Sequence, residues 1–251
     1  MIAEITMNRN SVEVEADGKY AYFADISDIH LGDKFHDGKR LRKFIDTVRS
    51  IPNFYVLIGG DSTNNASTQS KSSVFDEAAH GSEQIIQCVE LLKPIKHRIV
   101  GIRSGNHGYN RAMKYNRLIP EEIIAQFLGV PFLQGCASVF FKVGDYVYTI
   151  ATWHNQKNPN KMEWLHTDVT FYEHLHKNDI QRQLVMEPNK YVHKWIAKEH
   201  WDIQSGAFLG WGGYAAEKGY RPIPEGCPVI RLCGTKREIT PYYDISQIYF
   251  P

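Results

Sequence analysis

Cysteine is scarce and unpatterned in this chain: Cys88, Cys136, Cys227 and Cys233 are the only four, and no two form a CxxC pair. That spacing excludes a thiolate metal knuckle and a dense disulfide framework, and it fits reduced, mostly buried thiols. An excess of one charge is missing as well, because 29 Lys and Arg face 28 Asp and Glu for a formal net charge of +1. A polyanion-binding coat or an acidic tail is thereby excluded, and any contact with nucleic acid would need a local patch. Long apolar runs are also lacking; stretches such as 138–153 are broken by Lys142 and Asp145, short of the roughly 18 residues that a spanning helix requires. The opening MIAEITMNRN carries no apolar signal core. No membrane association is expected, and the expected location is cytoplasmic.

What is present is an ordinary globular composition, 251 residues at 43% hydrophobic and 12% aromatic, enough for a sizeable core. Runs rich in β-branched and aromatic residues at 20–27 (YAYFADIS), 54–59 (FYVLIG) and 98–103 (RIVGIR) read as strands. Between them, 39–50 and 82–93 carry apolar residues at helical spacing: Leu41, Phe44, Ile45 and Val48, then Ile85, Ile86, Val89 and Leu92. This alternation predicts parallel pairing with helices covering the faces. After a helix at 121–128 the second half turns strand-rich. A hairpin is expected around Gly144-Asp145, and strands are expected at DVTFYEHLH, PVIRLCG and PYYDISQIYF, with loops at 155–161 and 212–226. The expected architecture is α/β, a single domain over 1–251 with two packed mixed sheets flanked by helices.

The first three strands end alike. They finish in Asp28-Ile29-His30, in Gly60-Asp61-Ser62-Thr63-Asn64, and in Gly105-Asn106-His107. Loops after the carboxyl ends of parallel strands line one crevice, so these polar residues converge on a site. Downstream, YVYTIATW ends at His154 and DVTFYE ends at His174-Leu175-His176, where extended i, i+2 spacing would point both imidazoles to one side. Beyond His107, the inventory is Asp28, Asp61, Asn106, His30, His154, His174 and His176. Such mixed oxygen and nitrogen donors suit Mn, Fe, Zn or Ni, and seven of them suit two ions better than one.

These motifs, in this order, resemble the calcineurin-like metallophosphoesterases: D-x-H, G-D-x-x-[D/N], G-N-H, a lone His and an H-x-H pair. The resemblance spans about residues 20–235, and the compact length without a cap domain is similar to stand-alone members common in phage and prophage genomes. It implies a four-layer αββα sandwich in a bacterial or phage-infected cell. It also implies two divalent transition metals, with Mn first and Fe, Zn or Ni as alternatives. One ion would be held by Asp28, His30, Asp61 and His176, and the other by Asp61, Asn106, His154 and His174, with Asp61 bridging. The implied reaction is in-line attack of a metal-bridging hydroxide on a phosphate ester, with His107 as general acid and Asn64 as its neutral partner.

A neutral partner cannot raise the pKa of His107 by charge pairing, so His107 is expected to lose its proton at lower pH than in relatives with Asp there. That favours a phosphodiester, nucleotide or nucleic-acid substrate. A phosphomonoesterase or protein phosphatase is the alternative within the fold, and a catalytically weak metal-containing binding module the alternative outside it. The family's Gly before the last H-x-H is Glu173 here, a change that could add a carboxylate beside the metals, and His166 competes for the ligand register. Asp25, three residues before Asp28, reads as a strand-end residue bonded to backbone, with a place behind the ligand Asp28 as the alternative. The other histidines at 36, 80, 97, 193 and 200 read as surface or helix residues, and Trp201, Phe208, Trp211, Tyr214 and Tyr220 read as packing, a subunit contact or a base-stacking wall.

Overall fold

A computed structural model describes residues 6–8, 10–68, 70, 74–114, 117–154, 166–189 and 191–248. The predicted β-α-β rhythm is realised as one half of the molecule. Strands β3 (Tyr20–Ile26), β4 (Phe54–Ile58), β5 (Ile99–Arg103) and β6 (Phe132–Leu133) pair in parallel, and β12 (Val229–Cys233) and β13 (Ile239–Tyr242) add antiparallel to the β3 edge, making six strands. Helices α1 (Gly38–Ser50), α2 (Gly81–Leu92) and α3 (Pro120–Leu128) cover one face of this sheet. Their ends follow local chemistry. Asp37 accepts the Arg40 N–H at 3.0 Å to cap α1, Glu83 accepts the His80 N–H at 2.9 Å at the start of α2, and α3 runs from Pro120 to a left-handed Gly129.

The second sheet has seven strands in the order β1-β2-β7-β8-β9-β11-β10. It comprises β1 (Thr6–Asn8), β2 (Ser11–Ala16), β7 (Ala137–Val143), β8 (Tyr146–Trp153), β9 (Val169–Tyr172), β10 (Asn178–Asn189) and β11 (Lys194–Ser205). The two mixed sheets pack face to face. Phe23, Tyr55 and Leu57 from the first meet Val139, Phe141, Tyr148, Ile150 and Phe171 from the second, all buried. Edge-on contacts of Phe141 with Phe23 at 6.3 Å and with Tyr55 at 5.3 Å tie the layers together.

Several expectations need correction. DVTFYEHLH is a strand only to Tyr172, and the last predicted strand is β13 followed by a 3-10 turn at Ile245–Gln247. The 212–226 loop contains a short helix, α4 (Gly213–Glu217), while the 155–161 loop lies outside the described residues. His200 sits on β11, where its ring faces Thr167 O at 2.6 Å and Asp202 at 3.1 Å. The long β10–β11 hairpin was not anticipated. On β11 pairing with β9 begins at Trp201, and Lys194–His200 pair with β10 alone. No helix among the described residues is long and apolar enough to cross a membrane.

Candidate metal centre

Three parallel strands deliver the site. The peptide after β3 is zipped to the peptide after β4, with Asp28 N donating to Gly60 O at 2.9 Å and His30 N to Asp61 O at 2.9 Å. Both loops turn sharply. Of nine non-glycine residues with positive φ among the described residues, five are Asp28, His30, Asp61, His174 and His176. Backbone held in this sparsely populated region concentrates where a fixed side-chain geometry is being imposed. The expected extended i, i+2 alternation at His174 and His176 is therefore wrong. With φ of 75° and 54° the two residues lie in left-handed turns past the end of β9, and they point to different partners.

The polar ends come together as two adjoining groups. In the first, His176 Nε2 lies 3.2 Å from Asp28 Oδ1 and 3.2 Å from His30 Nε2. In the second, His154 Nε2 lies 3.2 Å from Asp61 Oδ2 and 2.9 Å from Asn106 Oδ1, and the His154 and His174 rings are 5.1 Å apart. His107 stands between them. Its ring is 4.5 Å from that of His30, its Nε2 is 3.7 Å from Asp61 Oδ2, and its backbone N–H donates to Asp61 Oδ1 at 2.8 Å. It lies in the first turn of a π-helical segment, His107–Met113, a distortion frequent at functional sites.

The donor chemistry fits divalent ions. Asp28 Oδ1 and Asp61 Oδ2 are buried with no hydrogen-bond donor, although the second oxygens of both carboxylates are engaged: Asp28 Oδ2 by Ser27 Oγ at 2.8 Å and His174 N at 3.0 Å, Asp61 Oδ1 by His107 N. Buried carboxylate oxygens aimed at imidazole nitrogens call for positive charge between them. The sets Asp28, His30 and His176, and Asp61, His154 and His174, with buried carboxylates and half-buried His154, His174 and His176, could each hold an ion. A third set, His30, Asp61 and His107, overlaps both.

Proton affinities follow from the crowding. Burial opposes ionisation of Asp28 and Asp61, yet neighbouring imidazoles, His176 and His154 for Asp28 and His107 and His154 for Asp61, hold both carboxyls below the usual range. Burial would depress His154, but the Asp61 and Asp28 carboxylates outweigh it and raise its pKa. Burial pulls His107 well below the ordinary imidazole value. The expectation for His107 concerned relatives with Asp at position 64 and rested on Asn64 as its partner. The pairing itself requires correction: Asn64 Oδ1 faces His30 Nδ1 at 3.3 Å, its amide nitrogen is taken by Glu77 at 2.5 Å, and His107 Nδ1 has no partner.

Three buried charged residues, Arg103, Glu173 and Asp25, stand behind the cluster. Arg103, at the end of the fully buried strand β5, forms an ion pair with Glu173, and Glu173 turns its other oxygen to His154 rather than to the ion pockets. An arginine closing an otherwise apolar buried run was the available signal, because such a charge demands a partner. Asp25 is not bonded to backbone through its side chain. Its Oδ2 accepts from Ser205 Oγ at 3.0 Å, and burial together with the Glu173 charge pushes its pKa well up. His166 lies outside the cluster, 58% exposed against Glu187, whereas the His174 ring stands beside that of His154. The aromatic run divides: Trp201 packs on the inter-sheet core and Phe208 on the helix-side core, whereas Trp211 and Tyr220 are exposed and the side chain of Tyr214 lies outside the described residues.

No family model matches this chain, and no curated protein matches it. Among solved structures, it is similar to the crystal structure of a conserved uncharacterized protein from Streptococcus pneumoniae TIGR4, named there a predicted phosphoesterase. Identity is 12%, the match covers 89% of this chain and 97% of the other, and the TM-score is 0.36. At that level the likeness decides nothing about the chemistry, which rests on the residues themselves.

Proposed function

We propose that this chain is a metal-dependent phosphoesterase whose preferred substrates are phosphodiesters of the nucleotide or nucleic-acid type. The observation that carries the reading is the pair of buried, donorless carboxylate oxygens, Asp28 Oδ1 and Asp61 Oδ2, each facing imidazole nitrogens. Asp28, His30, Asp61 and His176 would hold one divalent ion, and Asp61, Asn106, His154 and His174 the other. Such ions would supply Lewis acidity toward the phosphate oxygens and bring the pKa of a coordinated water toward neutrality.

The rest of the chemistry belongs to the chain. His107 is anchored through its backbone to Asp61, so a phosphate ester seated beside the cluster has an imidazole at hand for its leaving oxygen. Its Nε2 is the atom that would deliver a proton to the leaving alkoxide or nucleoside oxygen. Arg111, one turn further on, donates to Asn64 O at 3.0 Å and brings a cation to the same end of the sheet. Hydrolysis of bis(p-nitrophenyl) phosphate and p-nitrophenyl phosphate by metal-stripped protein, before and after adding Mn²⁺, tests the reading. Turnover restored by metal, greater on the diester, is expected. Restoration on the monoester alone would overturn the diester preference, and no turnover with any transition metal would overturn the enzyme.

A further inference from the structure

Glu173 stands where one of the motif's glycines would be expected, and its surroundings are built around it. The residue is 2% exposed and Arg103 is 1% exposed. One carboxylate oxygen, Oε1, takes the Arg103 guanidinium; the other, Oε2, accepts the Gly60 N–H at 2.6 Å and faces His154 Nδ1 at 2.9 Å. Two glycines make room. A Cβ on Gly59 would lie 2.7 Å from Glu173 Cδ, and one on Gly60 would lie 2.4 Å from His154 Nδ1.

A carboxylate paired with a buried guanidinium stays ionised, so it can only accept. The proton between Glu173 and His154 therefore belongs to His154 Nδ1. The other nitrogen, Nε2, then turns a lone pair toward two further acceptors, Asp61 Oδ2 at 3.2 Å and Asn106 Oδ1 at 2.9 Å, a close approach that calls for a cation among the three.

We propose that Glu173, clamped by Arg103, is a positioning residue that holds His154 as the Nδ1–H tautomer, leaving Nε2 free to bind an ion shared with Asp61 and Asn106. The proposal rests on the metal-site reading above. Carboxylates behind a ligating imidazole fix its orientation and raise its basicity, and losing one costs roughly 10–100-fold in metal affinity.

The test is Zn²⁺ binding to the metal-stripped full chain by chelator competition, together with long-range ¹H–¹⁵N spectra of the histidine rings in the Zn²⁺-loaded protein, with His154 assigned by its loss in His154→Gln. Wild type is expected to bind two Zn²⁺ and to show His154 protonated at Nδ1. Glu173→Ala should weaken one of the two sites roughly 10–100-fold and lose the defined tautomer. His154 found protonated at Nε2 in the wild type would overturn the proposal without any variant, which covers the case in which Glu173→Ala does not fold. Two sites of unchanged affinity in a folded Glu173→Ala would overturn it as well, while leaving the metal-site reading intact. Wild type that binds no Zn²⁺ would overturn both.

Discussion

Asp61 Oδ1 accepts the backbone N–H of His107 at 2.8 Å, while Asp61 Oδ2, with no donor of its own, lies 3.2 Å from His154 Nε2. One carboxylate thus anchors the loop carrying the candidate acid and points its free oxygen into the second ligand group. Asp61→Asn keeps an oxygen for the His107 N–H but removes the charge. The expected result is a folded protein with metal affinity lowered by more than the roughly 10–100-fold typical of an outer partner. Titration with Mn²⁺ checks this, and unchanged occupancy would remove Asp61 from the site.

His107→Gln separates acid catalysis from metal binding. Metal content should be retained and turnover should fall by roughly 10²–10⁴-fold, the usual contribution of a general acid. Because His107 also belongs to a set that could hold an ion, with His30 and Asp61, metal analysis of the variant decides between the roles. Loss of an ion would make it a ligand instead.

Glu121 is buried at the start of α3, where Ser104 Oγ donates to it at 3.0 Å and its other oxygen has no partner. Burial, with the Asp61 charge second, pushes its pKa up to about 7. The folded protein therefore binds more protons than the unfolded chain between roughly pH 4.3 and 7, so this group's contribution to stability falls as pH rises through that window and is constant above it. Glu121→Gln should remove the slope. At pH 8 it should be more stable than the wild type by on the order of 3 kcal/mol, and near pH 4 it should gain little. Thermal unfolding at the two pH values is the check, and an equal shift at both would contradict the assignment.

Gly60→Ala tests how tightly the strand end is packed. Its Cβ would lie 2.4 Å from His154 Nδ1 and 2.6 Å from the backbone at Gly105. Overpacking of this kind costs about 1–3 kcal/mol. Denaturant unfolding should show that loss, with weakened metal binding because His154 must move; wild-type stability and affinity would show that the loop has slack.

Strands β3 to β5 and helices α1 to α3 were legible because their signals are local: buried β-branched runs, helical spacing and glycine at the turns. The convergence of Asp28, His30, Asp61, Asn106 and His107 was legible for the same reason, since parallel strands put their carboxyl ends together. The β10–β11 hairpin was not, because NDIQRQLVMEPN and the start of β11 are largely exposed on both faces and so lack alternating polarity. The clamp of Arg103 on Glu173 joins residues 70 positions apart, a pairing that no local pattern reveals. The contact of Asn64 with His30 rather than His107 is equally hidden, because it depends on a loop with left-handed backbone at Asp61 and Asn65.

The most direct measurement is anomalous diffraction at the manganese edge from crystals grown with Mn²⁺. Two peaks are expected, one among Asp28, His30 and His176 and one among Asp61, Asn106, His154 and His174. Density at neither place, or a peak elsewhere such as beside His166 and His200, would contradict the metal centre and the activity built on it.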